Sequence, residues 1–118
     1  MTGNKKGALA DLLVLDLTRV VAGPYCGAIL ADMGARVIKI ERPGKGDDAR
    51  SYAPHVNGES AYYANLNRNK EGITLDFKSL EGKKIFQELV KKADILIENF
   101  RPGVMDRLGL GYDDLKTI

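Results

Sequence analysis

The residues whose chemistry stands out are cations placed beside short apolar runs. Arg19, Arg42, Arg68, Lys70, Lys78, Arg101 and Arg107 each follow such a run or lie in a polar loop next to one. If the runs are parallel strands, their carboxyl ends share one sheet edge, where several of these cations can meet a phosphate-bearing ligand. Other candidates have less support. His55, the single histidine, has no carboxylate or cysteine partner near it in sequence, as expected of a solvated loop side chain. Asp16 ends the first apolar run, where a carboxylate can act as a general base but more commonly caps the adjacent turn. Cys26 is the single cysteine, with no ligand at metal-binding spacing, and fits a small apolar side chain on a helix stripe.

The elements that must position these groups follow from periodicity. Residues 12–15 are uniformly apolar and short, as in a strand of a parallel sheet covered on both faces. Pro24 suits the first turn of a helix that Gly34 stops. Tyr25, Ile29 and Met33 recur at i, i+4 and i+8, and with Cys26 and Leu30 they predict the helix side that faces the sheet. Residues 37–40 return as a second strand. Residues 43–58 are rich in Gly, Pro, Asp, Asn and Ser, and predict a long ligand-facing or partner-facing loop. A helical turn at 60–64, a strand at 73–77, and a helix capped by Ser79 with Ile85, Phe86, Leu89, Val90 and Ala93 inward come next. A strand at 95–97, one turn at 104–108 and a helix start from 112 complete the pattern. The sum is a Rossmann-like α/β fold, an open parallel sheet of about four strands with flanking helices. Residues 1–10 predict a flexible lead, and 11–118 the N-terminal part of an incomplete domain.

Composition narrows the function. The 118 residues carry a net charge of +2 from 18 basic and 16 acidic side chains, with no basic patch interleaved with aromatics, so nucleic acid is not indicated. No apolar run approaches the roughly 20 residues of a membrane span, and the polar start lacks a signal-like core, which predicts a cytoplasmic chain. The loop Ala22-Gly23-Pro24-Tyr25-Cys26-Gly27 holds only part of the G-x-G-x-x-G fingerprint, and neither a Walker A lysine nor a G-x-S-x-G elbow occurs.

Several ordered blocks carry a further signal. Val14-Leu15-Asp16-Leu17-Thr18-Arg19-Val20-Val21-Ala22-Gly23-Pro24 and Leu30-Ala31-Asp32-Met33-Gly34-Ala35-Arg36-Val37-Ile38-Lys39-Ile40-Glu41 open the run. Gly46-Asp47-Asp48-Ala49-Arg50, Asn67-Arg68-Asn69-Lys70, Leu75-Asp76 and Glu98-Asn99-Phe100-Arg101-Pro102-Gly103 follow, and Leu108-Gly109-Leu110-Gly111-Tyr112 closes it. Together they resemble the N-terminal portion of the class III coenzyme A transferases of the CaiB/BaiF type. That family includes formyl-CoA and carnitine CoA-transferases, with α-methylacyl-CoA racemase on the same fold. The resemblance implies that coenzyme A, as substrate rather than bound cofactor, lies along the strand ends. Its adenine and phosphates would fall near Arg42, Leu75, Lys78, Asn99, Phe100 and Arg107, with Val20, Val21 and Ala22 closer to the thioester. No metal is implied.

In the family an aspartate attacks the acyl-CoA carbonyl, releasing thiolate and forming a mixed anhydride. Its place lies downstream of Ile118, so this chain alone is expected to be inactive. The implied partners are an acyl-CoA and a small carboxylic acid, in an interlocked homodimer. Two alternatives stay open, an acyl-CoA racemase of the same fold and a stand-alone coenzyme A or nucleotide-binding module.

Overall fold

A computed structural model describes residues 7–118. Its main sheet is built from β1 (Leu13–Asp16), β2 (Arg36–Glu41), β5 (Lys70–Thr74) and β6 (Ile95–Ile97), all pairing parallel in the order β5-β2-β1-β6. Read by position along the chain, that is the order of one half of a doubly wound fold. α1 (Ala22–Asp32) crosses from β1 to β2, and α3 (Leu80–Val90) carries the chain from β5 to the far side of β1. The order therefore reverses between β1 and β6, and a crevice opens there at the carboxyl edge. α4 (Val104–Arg107) and α5 (Tyr112–Leu115) follow β6.

Period-two alternation divides the strands between two faces. Leu15, Leu17, Ile38 and Ile40 pack with Phe86, Met105 and Leu110 on the side of α3 and α4. Val14 and Val37 pack with Ala31 and Ala35 on the side of α1. Continuing that second face toward the carboxyl edge brings Asp16, Lys39 and Glu41 onto it, so it changes from apolar to ionic within one strand length.

The helix face of α1 is the reverse of the one its apolar periodicity predicts. Gly23, Pro24, Gly27, Ala28 and Ala31 are buried, whereas Tyr25, Ile29 and Met33 are 53%, 41% and 46% exposed. Cys26 is exposed too, and of the predicted stripe Leu30 alone packs on the core beneath. The reason is distance: a Cβ on Gly27 would stand 2.4 Å from the Asp16 carboxylate, so only small residues fit between helix and strand.

The long loop holds more structure than its composition suggests. A 3₁₀ turn (Asp48–Ser51) precedes a hairpin of β3 (His55–Val56) and β4 (Glu59–Ser60). Asn57 and Gly58 join the two strands with φ of 53° and 82°, as a type I′ turn requires. The Asn-Gly pair was the available signal. Ser60 then caps α2 (Ala61–Leu66) by accepting from the Tyr63 N–H.

The third main strand runs over 70–74 rather than 73–77, because Lys70 pairs opposite Val37 and Thr74 opposite Glu41. Ser79 caps α3 as expected, accepting from the Gly82 N–H. Of its stripe, Phe86 is buried, while Ile85 is 51% exposed. Residues 1–6 of the lead lie outside those described, and the Leu9 N–H donates to the Met33 carbonyl at 3.0 Å. No helix among the described residues is long and apolar enough to cross a membrane.

Candidate functional site

The ionic face is organised by two buried Lys–Asp pairs. Lys70 Nζ donates to Asp16 Oδ2 at 2.8 Å, to the Pro24 carbonyl at 2.9 Å and to Asn67 Oδ1 at 2.9 Å, ties that join β5, β1 and the start of α1. Burial pulls the Lys70 ammonium below its ordinary range, and the neighbouring Asp16 carboxylate opposes that. Asp16 Oδ1 also accepts from the Thr18 N–H and hydroxyl. Asp16 is thus a turn-capping carboxylate, as its position at the strand end suggests.

Lys39 Nζ donates to Asp47 Oδ2 at 2.6 Å and to the Thr18 carbonyl at 2.9 Å. Asp47 Oδ1 in turn accepts from the N–H groups of Val20 and Ala49. Each ammonium therefore has hydrogen-bonded oxygens around it, the condition under which a buried charge is tolerated.

A third carboxylate lies nearer the surface. Glu41 accepts from Arg50 through both oxygens, from the Tyr63 hydroxyl at 2.6 Å and from the Asp47 N–H at 2.8 Å. Burial by itself would raise its pKa, but these hydrogen bonds and the Arg50 charge outweigh it and hold the carboxyl at about 2, against an ordinary 4.5. Burial, reinforced by the carboxylate, pushes the Tyr63 phenol up. A pH dependence follows. The folded value is the lower one, so the Glu41 contribution is fully present above pH 4.5 and is lost as pH falls toward 2. With Arg50 half in solvent, that contribution amounts to about 1 kcal/mol. Glu41→Gln should therefore show a shallower loss of stability between about pH 5 and 2.5 in acid titrations of the unfolding midpoint; an unchanged slope would contradict this.

Above this layer the carboxyl edge opens into two adjoining pockets. One, of about 170 Å³, is lined by Leu17, Arg19, Arg42, Leu75, Lys78 and Phe100, among others. The second, of about 350 Å³, is lined by Arg19, Val20, Val21, Ala22, Asp48, Asn99, Phe100 and Arg101. Arg19 and Phe100 belong to both, and the guanidinium sits 5.1 Å from the Phe100 ring centre. The expected positions thus gather in this crevice with one exception. Arg107 lies on α4 with its guanidinium over Gly103 and lines neither pocket.

The cations do not all converge. Lys70 is consumed by Asp16, and Arg68 pairs with Asp32 at 2.7 Å. Both precede or begin β5, at the amino end of the sheet, which a reading by loop proximality could not tell from the carboxyl end. Arg42 is held by Asp48 at 2.7 Å and by the Gly46 carbonyl at 3.0 Å. His55 is exposed, with its ring 3.4 Å from the Arg50 carbonyl oxygen. Lys39, Asp47 and Tyr63 were missed as site-building residues. A lysine between Ile38 and Ile40 in the otherwise apolar run 37–40 was the signal, since such a position demands a buried partner.

The fold and the crevice first define a class, that of open parallel α/β units with a crevice where the strand order reverses, the usual place for a ligand in such sheets. Comparison with known proteins makes the class specific. The family model of CoA-transferase family III matches residues 9–118, and the chain belongs to that family. It is 55% identical over 113 residues to acetyl-CoA:oxalate CoA-transferase of Acetobacter aceti, covering 96% of this chain and 29% of that protein. It is 48% identical over 111 residues to human succinyl-CoA:glutarate CoA-transferase, covering 93% and 25%. A crystal structure of a CaiB/BaiF family protein from Brucella suis superposes with a TM-score of 0.84 at 45% identity, covering 91% and 29%. The chain thus spans between 25% and 29% of the length of these relatives.

Proposed function

We propose that residues 11–118 form the coenzyme A binding N-terminal region of an acyl-CoA:carboxylate CoA-transferase. The observation that carries this is the crevice at the switch point. There Arg19, Arg42 and Lys78 meet Leu75 and Phe100, cations for phosphates beside apolar surface for an adenine or a pantetheine arm. The relatives compared above are named as CoA-transferases, which favours transfer over racemisation. In the intact protein an aspartate beyond Ile118 attacks the acyl-CoA carbonyl, expelling the thiolate and leaving an acyl–aspartyl anhydride. Val20, Val21 and Ala22 form the wall nearest that thioester. The reading includes a cytoplasmic, interlocked homodimer acting on an acyl-CoA and a small carboxylic acid.

Titration of the intact protein with coenzyme A, together with an assay of CoA exchange between carboxylic acids, tests the proposal. Binding with exchange supports it. Binding without exchange returns a coenzyme A binding module, and exchange of an α-proton without CoA transfer returns a racemase. Arg42→Ala should weaken coenzyme A binding by about 1–3 kcal/mol, since a charge-assisted phosphate contact is lost. Unchanged affinity removes Arg42 from the site.

A further inference from the structure

The backbone of residues 18–20 is fixed by side chains from outside the loop. Asp16 accepts from the Thr18 N–H, and Lys39 donates to the Thr18 carbonyl. Asn99 does both jobs at the next residue, accepting from the Arg19 N–H at 3.0 Å and donating to the Arg19 carbonyl at 2.9 Å. Asp47 accepts from the Val20 N–H, and Val20 is held at φ 74°, a left-handed conformation that a β-branched residue rarely adopts. These clamps come from β1, β2, the loop after β6 and the residue that caps the 3₁₀ turn, so they converge from both sides of the switch point.

What they hold in place is Arg19. Among the described residues its guanidinium has no carboxylate partner and no hydrogen bond, only the Phe100 ring beneath it. Every other arginine that lines the smaller pocket is engaged: Arg42 is tied to Asp48 and Gly46. An unpaired guanidinium stacked on an aromatic face, on a backbone locked on both sides, is pre-organised for an anion.

We propose that Arg19 binds the pyrophosphate of the ligand, and that Asn99 and Asp47 are positioning residues that present it. The proposal rests on the coenzyme A reading above. A coenzyme A molecule spanning both pockets has its pyrophosphate at mid-length, between the adenosine and the pantetheine arm, and Arg19 with Phe100 are the residues the two pockets share. The 3′-phosphate, at one end of the molecule, falls instead to the end of the crevice where Arg42 and Lys78 stand. Asn99 acts through the Arg19 backbone, since both polar atoms of its amide are spent there.

Calorimetric titration of the intact protein with coenzyme A and with 3′-dephospho-coenzyme A tests this on the wild type, Arg19→Gln and Arg19→Lys. Arg19→Gln is expected to weaken both ligands by a similar factor, about tenfold or more, with the lysine variant in between because it keeps the charge and loses the fork. The thermal midpoint falls by no more than the lost guanidinium–ring contact accounts for, because no ion pair is broken. Asn99→Ala, which removes both hydrogen bonds to the Arg19 backbone without adding a charge to the pocket, is expected to lose affinity for both ligands with Arg19 intact. It should have no further effect when Arg19 is already glutamine. A loss confined to coenzyme A would place Arg19 at the 3′-phosphate and overturn the assignment, as would wild-type affinity in Arg19→Gln. An Asn99→Ala loss undiminished in the glutamine background would overturn the positioning role. Failure of the wild type to bind either ligand would instead overturn the coenzyme A reading itself, and the Arg19 assignment with it.

Discussion

Asp47→Ala is expected to destabilise the chain by about 3–5 kcal/mol, the largest effect of any single substitution considered. The Lys39 and Asp47 side chains are 1% and 0% exposed, so the variant leaves an ammonium without its carboxylate in a site closed to water. It also orphans the N–H groups of Val20 and Ala49. Removing one partner of a buried pair is far more damaging than removing both, because the surviving charge keeps its full desolvation penalty. The double variant Lys39→Met with Asp47→Leu should therefore recover much of the loss, although the Val20 and Ala49 N–H groups still lack their acceptor. Equilibrium denaturation of Lys39→Met, Asp47→Leu and the double measures the coupling. A loss below about 1 kcal/mol in Asp47→Ala would show that water or a rearranged side chain reaches Lys39.

Gly27→Val is expected to destabilise by about 3 kcal/mol or more through overpacking. Its Cβ would lie 2.4 Å from Asp16 Oδ2 and 3.2 Å from Lys70 Cε. Neither neighbour can yield, because Asp16 is committed to Lys70 and Thr18, and Lys70 to three oxygens. The helix must move outward, and Ala22 at the start of α1, with Val21 as its N-cap, lines the larger pocket. The variant should thus lose coenzyme A affinity alongside stability. Thermal unfolding with a parallel ligand titration checks both; wild-type stability would mean that α1 rides on the sheet more loosely than its small-residue face requires.

Much of the fold was legible. β1, α1, β2, α3 and β6 were placed because apolar runs bounded by Gly, Pro or a capping Ser state the element type locally. Several of the ordered blocks have a physical purpose that only the folded chain reveals. Asp47 and Arg50 of one block hold Lys39 and Glu41, while Lys70 of another, braced by Asn67, holds Asp16. They form the layer beneath the crevice that shapes the loops above it. The α1 face was misjudged because hydrophobicity ranks Tyr25, Ile29 and Met33 above glycine and alanine, whereas close approach to a buried ion pair selects for size.

The sequence by itself determined the alternation of main-sheet strands and crossover helices, the parallel α/β class and the family, since each is a matter of local pattern and ordered blocks. Only the tertiary structure decided which charges are used up and which are free. Lys70, Arg68 and Arg19 look alike along the chain, yet Lys70 meets Asp16, Arg68 meets Asp32, and Arg19 is left facing the crevice. Partners as far apart in the chain as residues 16 and 70 are brought together by strand pairing. No local pattern encodes a distance of that kind.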